Sequence, residues 1–138
     1  MLTSARNELN GTITEIKSGG VMSEVIVKIT DAISIASTIT NNSKERLSLQ
    51  IGEAVSLLIK SSFVILSKEE LRTSARNNIK AKVTEVIKGA VNGEIKLALG
   101  ANTLCSIITN DAIESLGIKT GDDVYAIFKA SSVIIVAK

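Results

Sequence analysis

Histidine, proline and tryptophan are missing from this sequence, and cysteine occurs once. Without histidine there is no imidazole acid–base catalyst and no imidazole metal ligand. Cys105, alone, forms no intrachain disulfide and no multi-thiolate zinc site, and a Cys–His nucleophile is excluded with it. Free cysteine is among the most buried residue types, so Cys105 is expected as a small core hydrophobe. Only Phe63, Tyr125 and Phe128 are aromatic. The core must therefore be assembled from Ile, Val, Leu and Ala, with Tyr125 and Phe128 inside it. No stretch reaches the roughly 18 apolar residues of a membrane-spanning helix, and the opening MLTSARNELNG lacks the apolar centre of a signal peptide. These absences imply a cytoplasmic protein with no membrane partner.

What is present is aliphatic and evenly charged. The 138 residues are 45% hydrophobic, and 16 Lys+Arg against 14 Asp+Glu leave a net charge of +2. That composition is too apolar for disorder, and the charge is too small to imply a polyanion partner.

The chain repeats itself. Thr3-Ser4-Ala5-Arg6-Asn7 recurs as Thr73-Ser74-Ala75-Arg76-Asn77, and with one single-residue gap 22 of 66 aligned positions are identical. A unit of about 67 residues has been duplicated, which divides the chain into 1–69 and 70–138. The identities cluster: Thr14-Glu15 with Thr84-Glu85, Gly19 with Gly89, Ile39-Thr40-Asn41 with Ile108-Thr109-Asn110, Gly52 with Gly121. Lys60-Ser61-Ser62 and Lys129-Ala130-Ser131 each stand just before a Val-Ile pair. Core packing accounts for the repeated valines and isoleucines. It does not account for repeated Ser, Arg, Asn, Thr and Lys.

Within one unit, alternating apolar residues predict strands over 9–17, 21–29 and 33–39, with Ser18-Gly19-Gly20 as a turn. Thr40 to Ser43 supply N-cap candidates for a short helix; its counterpart begins after Thr109 and stops at Gly117. Strands over 54–60 and 62–67 complete the unit. Five short strands and one short helix, twice, predict an all-β protein of two tandem OB-like Greek-key barrels. A unit of this size is marginal alone. Pairing or oligomer assembly would bury more surface, and strand exchange between the barrels is open to edge strands without proline.

The repeated polar set is Ser4, Arg6, Thr40 and Lys60, and again Ser74, Arg76, Thr109 and Lys129. All are donors or cations. The threonines stand at helix starts, where free N–H groups favour an anion, and the glycine turns can present backbone N–H groups. A cage of donors suits a small tetrahedral oxyanion, which offers acceptors only. The structural alternatives are surface Arg–Glu pairs, helix caps at Thr40 and Thr109 and solvated lysines. Thr14-Glu15 and Thr84-Glu85 read as an exposed strand face without a catalytic role.

The TSARN block, glycine turn, ITN segment and K-[SA]-S-x-V-I ending, present twice over nearly the whole chain, resemble the Mop (TOBE-type) unit of molbindins, small cytoplasmic molybdate- and tungstate-binding proteins. The resemblance implies a two-unit molbindin that assembles as a homotrimer. Its ligand would be molybdate or tungstate, with no cofactor and no metal held directly by side chains. It implies oxyanion sites at interfaces between units and subunits, drawn from Ser4, Arg6, Thr40, Ser43, Lys60 and Ser61 and from Ser74, Arg76, Thr109, Lys129 and Ala130. A second kind of site, on a threefold axis, would use the backbone at Gly19, Gly20 and Val21 and at Gly89, Ala90 and Val91. Ala112 and Ala130 replace Ser43 and Ser61 in the second unit; two hydroxyls are lost there, with backbone N–H groups left to donate, and Asp111 is expected to face solvent or cap the helix. The function implied is non-catalytic storage or buffering of the oxyanion. An OB-type module for single-stranded nucleic acid and an oxyanion-sensing domain of a larger system are the alternatives. Too few aromatics and too little charge argue against the first. The start at Met1, almost on the motif, and the lack of a phosphate loop or DNA-reading segment argue for a free-standing protein.

Overall fold

In the computed structural model, which describes residues 3–138, the first alternating segment is a strand of 13 residues, β1 (Arg6–Ser18). Leu9 and Ile13 point inward and are fully buried. At Thr14 the pairing register jumps, a β-bulge that bends the strand. The bend lets β1 pair with β4 (Ala54–Lys60) through Arg6–Thr12 and with β2 (Met22–Lys28) through Thr12–Ser18. Close crossing at the bend needs Gly11: a Cβ there would lie 2.5 Å from the Lys28 carbonyl oxygen. The second repeat bends likewise between Val83 and Glu85, so the recurring Thr-Glu dipeptide marks a bulge, with both residues exposed.

β3 (Ser34–Thr40) pairs with β2 and leads into α1 (Asn41–Arg46). After β4 comes a 3₁₀ turn, Ser61–Phe63, and then the short β5 (Ile65–Ser67). The sequence reading placed one strand over 62–67; the turn takes its first half, because Val64 N–H bonds back to the Ser61 carbonyl. The second repeat follows with β6 (Asn77–Lys88), β7 (Asn92–Leu99), β8 (Asn102–Thr109), α2 (Asn110–Leu116), β9 (Asp123–Phe128), a 3₁₀ turn Ala130–Ser132 and β10 (Val133–Ala137).

The two five-stranded sheets have the orders β10-β4-β1-β2-β3 and β5-β9-β6-β7-β8. Each takes its last strand from the other repeat. β10 runs along β4, Val133 opposite Ile59, and β5 runs along β9, Ile65 opposite Ile127. Both sheets curl into OB-like barrels whose far edges are tied by side chains: the Ser37 hydroxyl donates to Val133 O and the Ser106 hydroxyl to Val64 O, at 2.7 and 2.6 Å. One aliphatic cluster runs through both barrels, from Leu9, Val25 and Leu57 to Ile95, Leu97 and Val124. Phe128 joins it, as expected. Tyr125 does not: it takes an outward position in β9 and is only half-buried. Among the described residues no helix is long and apolar enough to cross a membrane.

Candidate oxyanion site

The two helix starts are built alike. Thr40 and Thr109 are N-caps with extended backbone, and their hydroxyls accept from the N–H of Ser43 and Ala112, each at 3.1 Å. The N–H at 112 is thus already used; the expectation that it stays free for an anion is corrected. Ser43 adds a hydroxyl, which accepts from Thr40 Oγ1 at 2.9 Å. Asp111 lies exposed in the first turn of α2, where the free N–H groups favour a carboxylate. Gly117 ends the helix with φ +62°.

Arg6 stands directly opposite Lys60 across the β1–β4 ladder, and Ser61 N–H donates to Ala5 O at 3.1 Å. Arg76 and Lys129 stand one residue beyond the corresponding pair, Asn77 with Phe128. Arg6 has φ +72°, a left-handed conformation that costs about 1–2 kcal/mol for a residue with a Cβ; Arg76 does not share it. Ser61 and Ala130 are buried, whereas Ser4, Lys60, Ser74 and Lys129 are exposed. Lys60 Nζ lies 5.5 Å from the centre of the Phe63 ring.

Ser4 and Lys60 share a cleft of about 360 Å³ with Phe63, Ser132 and Ile134. Thr40 and Ser43 line another, also about 360 Å³, with Arg46, Ser131 and Ile134. Four donors of the first unit therefore divide between two clefts that share the exposed Ile134 and take residues from the second repeat, while Arg6 and Ser61 line neither. A larger, open depression of about 820 Å³ beside Thr12, Lys28 and Lys138 holds none of the sequence-predicted residues.

The hairpin loops form a separate pair of features. Asn41 N–H donates to Val21 O, and its side-chain amide to Gly19 O. Asn110 holds Val91 O and Gly89 O in the same way. Gly20 and Ala90 are exposed, and the loop-tip side chains Val21 and Val91 are 72% and 71% exposed.

Both arginines are engaged across the repeat boundary. Arg76 donates from Nε and Nη2 to the two oxygens of Glu24, at 2.9 and 2.7 Å. Arg6 Nη2 donates to Glu94 Oε2 at 2.5 Å. The hydrogen bond from Arg76 holds the Glu24 carboxyl below its ordinary range. Burial pushes Glu94 upward, but hydrogen bonds from Cys105 and Arg6 outweigh it and leave that carboxyl lowered. Cys105 is buried as expected, yet its thiol donates to Glu94 Oε1 at 3.2 Å. Burial first, then the neighbouring carboxylate, pushes the thiol up to about 11. Beneath each arginine an asparagine reaches into the other barrel. Asn7 exchanges two hydrogen bonds with the backbone of Cys105, and Asn77 two with Ala36.

The sequence reading gave Asn7, Asn77, Glu24, Glu94, Ser37 and Ser106 no role. Each pair is an identity between the repeats, which was the available signal. Among the described residues no cluster of Cys, Asp and Glu could hold a metal ion.

Residues 3–66 and 73–135 each match the model of the TOBE domain. Over 138 residues the chain is 41% identical to the molybdenum transport protein ModE of Azotobacter vinelandii and 38% identical to the molybdenum-pterin-binding protein MopA of Rhodobacter capsulatus. Each alignment takes in 98% of this chain but only 51% and 52% of those proteins, so the chain spans about half the length of the curated relatives it matches. A solved structure of the cytoplasmic molybdate-binding protein ModG, with molybdate bound, overlays with a TM-score of 0.93 at 35% identity, covering 100% of both chains.

Proposed function

Because the chain belongs to the TOBE domain family and carries two copies of that domain, we propose that it binds molybdate, or the similar dianion tungstate, reversibly and without catalysis, as an intracellular store or buffer. One observation carries the reading: Arg6 and Lys60 are cross-strand neighbours, and in the second repeat Arg76 and Lys129 flank the end pair of the corresponding ladder, Asn77 with Phe128. Each arginine meets one carboxylate, Glu94 or Glu24, and the lysine beside it adds a further positive charge, so each end of the ladder keeps a net positive charge and unused donors. A dianion bound there takes charge-assisted hydrogen bonds from both cations. Ser4, Thr40, Ser43 and Ser61, with Ser74, Thr109 and the Ala130 backbone, supply the neutral donors. The whole-length overlay on a protein solved with molybdate supports the same ligand.

The two clefts are open, and in our reading they close where barrels of neighbouring subunits meet in a homotrimer. Val21 and Val91 at the loop tips, with Ile65 and Ile134 at 61% and 60% exposure, are the apolar surface such an assembly would cover. The loops at Gly19–Val21 and Gly89–Val91 would then meet around the threefold axis and turn the N–H groups of Gly20, Val21, Ala90 and Val91 to a second class of anion, those of Gly19 and Gly89 being held by Met22 O and Asn92 O. We take 1–69 and 70–138 as the two sequence units. Native mass spectrometry with and without molybdate reads subunit number and anion count together; a trimer holding more than one molybdate per chain is expected. Equilibrium dialysis without uptake at micromolar molybdate would sink the proposal. Arg6→Ala combined with Arg76→Ala is expected to weaken uptake at least tenfold, about 1.4 kcal/mol or more.

The length relation to ModE favours a second reading, in which these two domains are the oxyanion-sensing part of a longer regulator. Molybdate-dependent binding of the full-length natural protein to its own promoter DNA would mark that role; molybdate uptake without it marks the store.

A further inference from the structure

The carboxylates that meet the arginines are the sheltered ends of their ion pairs. The Glu94 side chain is 17% exposed against 49% for Arg6, and Glu24 is 28% exposed against 57% for Arg76. Ordinary surface pairs have two solvated partners and fix neither. Here each carboxylate stands on the second strand of a hairpin, β2 or β7, with a strand on either side, and Glu94 is held further by the Cys105 thiol. Glu24 grips Arg76 by two bonds along one edge of its fork. A guanidinium has five N–H groups, so three of Arg76 and four of Arg6 are left outside these bonds, among them the pair on the Nη1–Nη2 edge of Arg76. Both pairs join positions of different repeats, and Glu24 and Glu94 are themselves identical between the repeats. A carboxylate beside a dianion opposes binding by its charge, so its presence at both sites calls for an offsetting contribution. Ordering a long side chain in advance supplies one, since that cost is otherwise met when the anion binds.

We infer that Glu24 and Glu94 are positioning residues for the oxyanion, each holding the arginine of the other repeat with its free edge turned to the ligand. The inference rests on the function proposed above. It is tested with Glu24→Asp, Glu24→Ala, Glu94→Asp and Glu94→Ala in the full chain, titrated calorimetrically with sodium molybdate, with the Arg Nε–H signals followed by NMR. Asp keeps the charge and shortens the reach. Both Glu94 variants are expected to weaken the sites that use Arg6 at least tenfold and spare those that use Arg76. Both Glu24 variants should do the reverse, and in them the signal of the Arg76 Nε–H, which donates to Glu24, should broaden or exchange faster. Charge repulsion alone predicts unchanged affinity with Asp and tighter binding with Ala, and either result overturns the inference. If an Ala variant does not fold, the Asp variant decides by the same criterion. Wild type that takes up no molybdate brings down the function and this inference together; wild type that binds, with variants that bind equally well, brings down this inference alone.

Discussion

Asn7 and Asn77 are 1% and 3% exposed, and each spends its amide on the backbone of a single residue in the other barrel. Asn7 Nδ2 donates to Cys105 O at 2.8 Å while its Oδ1 accepts from Cys105 N. β8 is the last strand of its sheet, so the side chain acts there as a one-residue strand neighbour. Removing it leaves a buried N–H and C=O unpaired, at about 1–3 kcal/mol each. Asn7→Ala is therefore expected to destabilise the fold by about 2–4 kcal/mol, read as a lower urea midpoint, and Asn77→Ala by a similar amount. Loss below about 0.5 kcal/mol would show the clamp to be incidental. This role was hidden in the sequence because TSARN was legible as a repeated motif while its members do different jobs: Ser4 and Arg6 face outward, Asn7 faces in. Alternation along β1 sets that difference, and it could be applied only once the strand was known to begin at Arg6 instead of residue 9. The carboxylates make a second prediction. Glu24 and Glu94 titrate below the ordinary 4.5 in the folded chain. Their stabilisation is present above the unfolded-state value and is lost as pH falls through the lowered folded value. Urea midpoints should therefore drop on acidification below about pH 4.5, and the drop should shrink when both residues are replaced by Gln.

At the scale of elements the repeats diverge at the foot of the first hairpin. In the first unit the Ser23 hydroxyl donates to Asn41 Oδ1 at 2.5 Å. The second unit has Gly93 at that position, and Asn110 Oδ1 is buried without a partner. The space is taken by Ile113, where the first unit has Lys44: a Cβ on Gly93 would lie 2.4 Å from Ile113 Cδ1. The two substitutions belong together, an apolar plug replacing a hydrogen bond. Gly93→Ser alone is expected to cost about 1–3 kcal/mol by overpacking. In an Ile113→Ala background the same change should cost less, because the hydroxyl then has room to reach Asn110 Oδ1. A double-mutant cycle on thermal or urea unfolding measures the coupling; simple additivity would mean that the two positions do not share this space. Strand and helix positions were legible from alternation, caps and turns: 54–60 matches β4, and Thr40, Thr109 and Gly117 stand where their chemistry placed them. The 3₁₀ turn at Ser61–Phe63 was not, since Lys-Ser-Ser-Phe carries neither glycine nor proline to announce it.

For the whole molecule the decisive feature is the exchange of β5 and β10. Local patterning predicts strands but not their partners, and apolar stretches such as Val64–Leu66 and Val133–Ile135 fit either sheet; the sequence could pose the exchange without deciding it. What favours the crossed arrangement is seen only in three dimensions. Each 3₁₀ turn packs on the third strand of the other repeat, where the Ser106 and Ser37 hydroxyls donate hydrogen bonds to Val64 O and Val133 O of the exchanged chain. A unit cut at residue 69 would have no β10 along β4, and its β5 would have no β9. The freed edge of β4, with Leu57 and Ile59 on its inward face, cannot be left to water without cost, and no proline protects it. Because the repeats share their exchange contacts, a second copy of residues 1–69 can supply the missing strand, each β5 completing the other copy's sheet. Residues 1–69 alone are expected to sediment as strand-exchanged dimers, or as hexamers where three such dimers assemble like the proposed trimer, that unfold in a concentration-dependent transition, while the monomeric fraction lacks a cooperative one. A folded monomer of residues 1–69 at micromolar concentration would mean that β5 can turn back onto its own β4, and the exchange would then be a feature of the linked repeats and not a requirement of the unit.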